Sequence, residues 1–193
     1  MSKDWFAGNW MYAGGIAGLF LLALVPLLVG GWSLPLLLIY LQLPIYLLHQ
    51  VEEHHGDRFR QFVNEHVAGG LPALTTPAVV FINVPGVWGV NLLALYLARF
   101  VDLGLGLIAV YLTLVNAVAH VVSMIVLRGY NPGLITALVL FLPVGSWALV
   151  ALTRTSGVTM THQLIGFGIA LAIHAAILVH VKRRVHALSA APA

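Results

Sequence analysis

The chain contains no cysteine, so disulfides, thiolate metal sites, iron–sulfur clusters and cysteine nucleophiles are all excluded. Charge is also scarce. Only 8% of the residues are charged, against about 25% in a soluble domain, while 61% are hydrophobic. So few charges cannot cover a surface that faces water. We therefore expect lipid to be the solvent of this chain.

Long apolar runs take up most of the sequence. A membrane-spanning helix needs about 20 apolar residues, and six such runs with short connections nearly fill the 193 residues. We predict one all-α domain over residues 1–193, a polytopic membrane helical bundle of about six transmembrane helices. The first run has no convincing cleavage site, so we interpret it as a retained anchor. The predicted spans are 10–29, 34–51, 77–100, 103–127, 134–152 and 160–181.

A short amphipathic segment follows the second predicted span. In residues 57–67, Phe59, Phe62 and Val63 recur at the spacing of one helical face, with charged residues between them. This pattern is typical of a helix lying at the membrane interface. We predict a surface helix here rather than part of a binding site.

Glycine and proline mark three local features. Gly14 and Gly18 are separated by three residues, a spacing that lets a second helix approach closely. Pro85 is followed by glycine inside the third predicted span, which indicates a kink. The stretch GYNPG, residues 129–133, predicts a tight turn in which Gly133 allows positive φ.

The basic residues predict the orientation of the chain in the membrane. Lysine and arginine near span ends concentrate on the cytoplasmic side. With six spans both termini share one side, which collects seven of the nine basic residues, whereas the other side receives Arg99 and Arg154. We therefore expect both termini in the cytoplasm. The seven are Lys3, Arg58, Arg60, Arg128, Lys182, Arg183 and Arg184.

With this orientation, polar side chains from four spans lie in one layer near the cytoplasmic side. Asn83 lies roughly 9 Å and His174 roughly 12 Å from the inner ends of their spans, at 1.5 Å per residue. His54, His55 and Asp57 indicate water near the end of the second span. The first and fifth spans contribute almost nothing comparable, so we interpret them as scaffold. The layer comprises His49, Glu52, Glu53, Asn83, Asn116, His120 and His174.

These residue types favour a metal site. A carboxylate at the bilayer centre costs about 2.5–3.5 kcal/mol, which a bound cation, a shared proton or a water-filled pocket can offset. Nitrogen and oxygen ligands without sulfur suit zinc, iron or manganese. We predict a divalent transition metal, zinc or iron, and expect the other glutamate, Glu52, to act as a general base, as a support for a ligand or as a bridge to a second metal. The predicted ligands are His49, Glu53 (less so Glu52), His120 and His174.

Three short stretches resemble one known family. HQVEE at residues 49–53, NAVAH at 116–120 and YNPG at 130–133 are similar to features of the HXXEE-motif family of small bacterial integral membrane proteins. The resemblance implies the bacterial cytoplasmic membrane and supports this architecture and this choice of site. The activity of the family is not established, so the resemblance gives no substrate.

The predicted site should line a cavity enclosed by the second, third, fourth and sixth spans and open to the cytoplasm or the inner leaflet. We interpret Glu52, Asn83, Asn116 and Tyr130 as candidate catalytic residues. Asn83 could instead link two helices, and Tyr130 could instead be an aromatic residue of the interface.

Three classes of function remain open. The first is a metal-dependent enzyme that acts on a lipophilic substrate from the inner leaflet. The second is a metal-free acid–base enzyme such as an isomerase. A transporter or proton relay ranks last, because the polar layer does not continue to the outer side. As partners we expect membrane lipids and a lipophilic small molecule, with a homo-oligomer left open and no nucleic acid.

Overall fold

The computed structural model describes residues 3–190, which fold into helices joined by short turns, without a strand. Six of these helices are long and apolar enough to cross a membrane. The prediction of an all-α bundle with six spans is confirmed. The chain is thus consistent with an integral membrane protein.

Most helices begin and end close to the predicted limits, but the first begins at Lys3 and not at residue 10. Short helical turns extend three of the helices. Val25–Leu28 follows the first helix, His55–Asp57 follows the second, and Leu103–Gly106 precedes the helix that begins at Leu107. The short interfacial helix is also present, as the third in order. The helices are α1 (Lys3–Ala23), α2 (Leu34–His54), α3 (Arg58–His66), α4 (Thr76–Phe100), α5 (Leu107–Leu127), α6 (Leu134–Thr153) and α7 (Met160–Ser189).

Helix α2 lies at the centre of the bundle. In the most apolar part of α2 and its extension 67% of residues are buried, whereas in each other span 28% or fewer are. Helix α1 packs against α2 through the predicted glycine pair. A Cβ added at Gly18 would lie 3.0 Å from Leu47 Cβ and 3.1 Å from the carbonyl oxygen of Pro44, so only glycine permits this approach.

Two spans contain a stretch of π-helix. In α4 it covers Ile82–Trp88 and includes Pro85, at the predicted kink. Proline lacks the amide N–H of the regular helical ladder, so the backbone must adjust around it. In α6 the π-helix covers Ala137–Phe141. Both distorted segments lie in helices that border the candidate site.

Helix α7 is longer than predicted. It continues to Ser189, well past the expected end at residue 181. The lysine, arginine and alanine residues that follow are good helix formers, and Val185 and Leu188 still pack against a buried apolar cluster that contains Trp10 and Val181. The end of the apolar run therefore marks where α7 leaves the lipid and does not mark the end of the helix.

Candidate functional site

The last two turns of α2 meet α5 in a buried cluster of two imidazoles and one carboxylate. His49 is completely buried, and Glu53 and His120 are nearly so. His49 Nε2 lies 3.6 Å from Glu53 Oε2, and His120 Nε2 lies 3.7 Å from Glu53 Oε1. His49 and Glu53 share a face of α2 because residues four apart lie one above the other.

These three side chains have the spacing of ligands to one cation. One potential ligand atom from each lies within 4.8 Å of the other two. On a tetrahedral zinc with ligand bonds of 2.0–2.2 Å, two ligands would be about 3.4 Å apart. Small side-chain movements would bring the three ligand atoms from their present spacing to this distance. Among the described residues His174 lies outside this cluster.

Thr136, near the start of α6, fixes the tautomer of His49. Its hydroxyl donates to Glu52 Oε2 at 2.5 Å, so it accepts from His49 Nδ1–H at 2.8 Å. A neutral imidazole with its proton on Nδ1 carries a lone pair on Nε2. This Nε2 is buried without a hydrogen-bond partner. A buried polar atom left in this way is uncommon, and its lone pair is free to accept a proton or to bind a cation.

Asn131, in the turn between α5 and α6, does the same for His120. The Asn131 amide nitrogen donates to the carbonyl oxygen of His120 at 2.9 Å, so its Oδ1 accepts from His120 Nδ1–H at 2.6 Å. His120 therefore also directs an unprotonated Nε2 toward Glu53. Metal-ligating histidines usually have such a partner on the second nitrogen, because it sets the ring orientation.

Glu52, the neighbour of Glu53, points elsewhere and is fully engaged. Its carboxylate accepts from the backbone N–H groups of Ile135 and Thr136, at 3.1 and 2.7 Å, and from the Thr136 hydroxyl. The Tyr130 hydroxyl donates a fourth bond at 2.9 Å. A carboxylate at this position caps the amino end of α6 and complements its dipole. Partial burial and this bond raise the pKa of the Tyr130 hydroxyl, which therefore stays a donor.

Gly133 brings the turn into contact with both imidazoles. Its φ is 97°, and an added Cβ would lie 2.7 Å from Cε1 of His49 and 2.7 Å from Cε1 of His120. The position therefore requires glycine for its backbone conformation and for space.

Two expectations about the surroundings were wrong. Helix α6, the fifth predicted span, is more than scaffold, because Thr136 at its amino end forms hydrogen bonds with both His49 and Glu52. His54 does not lie in water: it is 3% exposed, between the rings of Trp10 and Phe59. Its Nε2 lies 3.1 Å from Glu53 Oε2.

A cavity of about 220 Å³ adjoins the cluster. Its walls come from α2, α4, α5 and α7, as predicted, and are mainly apolar. Phe59 and Phe62 of α3 also line it, so the apolar face of this surface helix contributes to the cavity wall. Of the cluster, Glu53 and His120 reach the cavity, and the neighbouring His54 does so too. Further polar residues in its lining are Asn83, Asn116, Ser123, Asn131 and His174.

The remaining predicted site residues lie around this cavity or close to it. Asn116 donates to the buried Tyr46 hydroxyl at 2.7 Å. Asn83 accepts from Gln50 at 2.8 Å and so links α4 to α2. His174 binds the carbonyl oxygen of Ala170 through Nδ1, at 2.8 Å. Tyr130 contacts Glu52 and lies outside the cavity wall.

Sequence reasoning missed Thr136, Asn131 and His54. Asn131 lay inside the YNPG turn, and its place shortly after His120 was the only signal. Thr136 is one threonine in an apolar span, and no signal in the sequence marked it. His54 was visible, but its polar neighbours His55 and Asp57 suggested water.

The fold and this cluster define a class: a polytopic helical membrane protein with a buried His–Glu–His site beside an apolar cavity. The sequence model described as "Protein of unknown function with HXXEE motif" matches residues 40–148, more than half of the chain. The chain therefore belongs to the HXXEE family, in agreement with the resemblance. No curated protein and no solved structure matches it.

Proposed function

We propose that the protein is a metal-dependent membrane enzyme that acts on a lipophilic substrate held in the cavity. His49, Glu53 and His120 would hold one zinc or iron ion. The observation that carries the proposal is the buried, unpartnered Nε2 of His49 beside the Glu53 carboxylate. A divalent cation would satisfy this lone pair and offset the charge of Glu53.

Each residue then has a distinct task. Such an ion would supply a Lewis acid and an activated water molecule. His49 and His120 present unprotonated nitrogens because Thr136 and Asn131 hold their other nitrogens. Three protein ligands leave a coordination position for water or substrate, as catalytic sites require.

One observation favours a second candidate, a metal-free acid–base enzyme. Glu53 Oε2 and His54 Nε2 lie 3.1 Å apart, both buried, at the wall of the cavity. A carboxylate and an imidazole at this distance can exchange a proton with a bound substrate. The same cavity would then serve an isomerase.

We further propose that the protein lies in the bacterial cytoplasmic membrane with both termini in the cytoplasm. The basic residues counted above support this orientation. The end of α2, the start of α4 and the end of α5 would then place the cluster near the inner leaflet.

Metal analysis of protein purified without metal-chelate chromatography tests the main proposal. We expect close to one equivalent of zinc or iron in the native protein. His120→Ala should lose the metal because it removes one of three ligands. His162→Ala is the matched control, since His162 lies beside Asp102 at the other end of the bundle. A bound catalytic metal would be present at close to one equivalent per chain. A native protein that carries less than about a tenth of an equivalent of metal therefore favours the acid–base candidate.

A further inference from the structure

We propose that the ligand of the cavity is a single-chain lipid alcohol, which enters from the bilayer between α5 and α7. The inference rests on the proposed function in one respect only: it names the class of substrate that the same site would bind. Binding of the alcohol can be measured whether or not a metal is present.

The size and lining of the cavity suit one apolar chain. Its volume of about 220 Å³ is below the roughly 300–1,000 Å³ of sites for drug-sized ligands. Most of the wall is formed by aliphatic and aromatic side chains, among them Phe62, Leu112 and Ile177. Such a space admits a narrow chain more readily than a two-chain phospholipid.

The polar groups that line the cavity include both hydrogen-bond acceptors and hydrogen-bond donors. His174 donates through Nδ1 to its own helix, so its free nitrogen carries a lone pair. Glu53 contributes carboxylate oxygens. The hydroxyls of Tyr46 and Ser123, which also line the cavity, can donate, and each asparagine amide there keeps a second N–H beside the one bonded to a protein oxygen. A hydroxyl group both donates and accepts, so it suits a lining of this kind.

The charges argue against an anionic head group. Among the described residues that line the cavity none is lysine or arginine, while Glu53 is acidic. A phosphate or carboxylate would find no cation there except the proposed metal ion, part of whose charge Glu53 already offsets, so its burial would be costly. A hydroxyl carries no such penalty.

The entrance of the cavity can be inferred from the lining residues that are exposed. Ala119 of α5 and Leu178 of α7 both line the cavity and are both exposed. Their neighbours Val118 and Val179 are exposed but do not line it. We therefore place the entrance of the cavity between Ala119 and Leu178, on the outer surface where α5 and α7 meet.

Photolabelling of the full-length protein in lipid nanodiscs tests this. The probe is a long-chain alcohol with a diazirine in the chain, compared with the same chain ending in a carboxylate, a phosphate monoester or a primary amine. The alcohol should label peptides of α5 and α7, and excess dodecanol should remove the label. Ala119→Trp and Leu178→Trp should each lower labelling about tenfold, which is 1.4 kcal/mol of binding.

Matched variants separate binding from unspecific partition into lipid. Val118→Trp and Val179→Trp add the same bulk outside the cavity and should leave labelling unchanged. His174→Ala should weaken the alcohol label about threefold to tenfold, as expected for one lost hydrogen bond.

Equal labelling by all four head groups, or labelling that neither cavity tryptophan lowers, overturns the proposal. Metal content measured on the same samples keeps the two proposals apart. Metal without alcohol binding defeats only the lipid alcohol, whereas alcohol binding without metal defeats only the metal enzyme.

Discussion

Two consecutive glutamates perform different tasks in this protein. Glu53 enters the cluster with His49 and His120, whereas Glu52 accepts four hydrogen bonds from Tyr130, Ile135 and Thr136. Successive residues of a helix differ by about 100° in direction, so the two carboxylates cannot face the same partners. This division explains how adjacent acidic residues coexist at a membrane helix end.

Exchange of each glutamate for glutamine should separate these tasks. Glu53→Gln should lose the metal, because a neutral amide replaces the charged ligand. Glu52→Gln should keep the metal and lower the free energy of unfolding by about 1–3 kcal/mol, since bonded acceptors at the start of α6 are lost. Metal analysis and thermal unfolding in detergent measure the two effects. Loss of metal in Glu52→Gln alone would reverse the assignment.

Thr136 orients His49 through a single hydrogen bond. Thr136→Val keeps the shape of the side chain but removes the acceptor for His49 Nδ1–H. We expect metal affinity to fall about 10- to 100-fold, as for other partners of metal-ligating histidines. Thr136→Ser retains the hydroxyl and should bind the metal nearly as well as the native protein. Equal affinities for the valine and serine variants, measured by competition with a chelator, would remove Thr136 from the site.

At the scale of elements, the turn between α5 and α6 connects the helices that form the site. Tyr130 reaches Glu52, Asn131 reaches His120, and Gly133 packs against both imidazoles. Every one of these contacts connects the turn to α2 or α5. The turn therefore sets the distance between the two helices that carry the proposed ligands.

Gly133→Ala should disturb this turn and the cluster together. The φ of 97° is strained for alanine, at about 1–2 kcal/mol, and the new methyl group would displace both histidine rings. We expect a lower melting temperature and weaker metal binding. Gly129→Ala is the control, since a Cβ there would meet only the Leu127 carbonyl oxygen, at 3.8 Å. A Gly133→Ala protein that binds metal like the Gly129→Ala protein would contradict this account.

At the scale of the whole molecule, a central helix carries the polar residues and the outer helices shield them. Helix α2 supplies His49, Glu53 and His54 from the most buried span. The cost of polar groups in lipid is thereby limited, because they face the bundle interior. The remaining spans expose apolar side chains, among them Phe20, Ile125 and Leu164.

The orientation of the molecule can be tested with reporters. A green fluorescent protein fused after residue 193 should fluoresce, and alkaline phosphatase fused there should be inactive, because we propose that the basic end of α7 lies in the cytoplasm. Fusion after residue 156, between α6 and α7, should give the opposite results. Active phosphatase at the C-terminus would invert the bundle and move the cluster to the outer leaflet.

The sequence alone determined the six spans and the interfacial helix. Hydropathy and helical periodicity are properties of consecutive residues, so they can be read without knowledge of distant contacts. Depth followed from counting along each span. That reasoning placed His49, Glu53 and His120 in one layer, and helical rotation made a common face plausible for His49 and Glu53.

Only the tertiary structure decided how the layer is organised. Thr136 lies 87 positions from His49, and Tyr130 lies 78 positions from Glu52, so no local pattern could pair them. The rotation of α2 decided which glutamate enters the cluster, and the packing of Trp10 and Phe59 decided that His54 turns away from water. Such choices depend on contacts between helices, because neighbouring residues of one helix have the same depth but different partners.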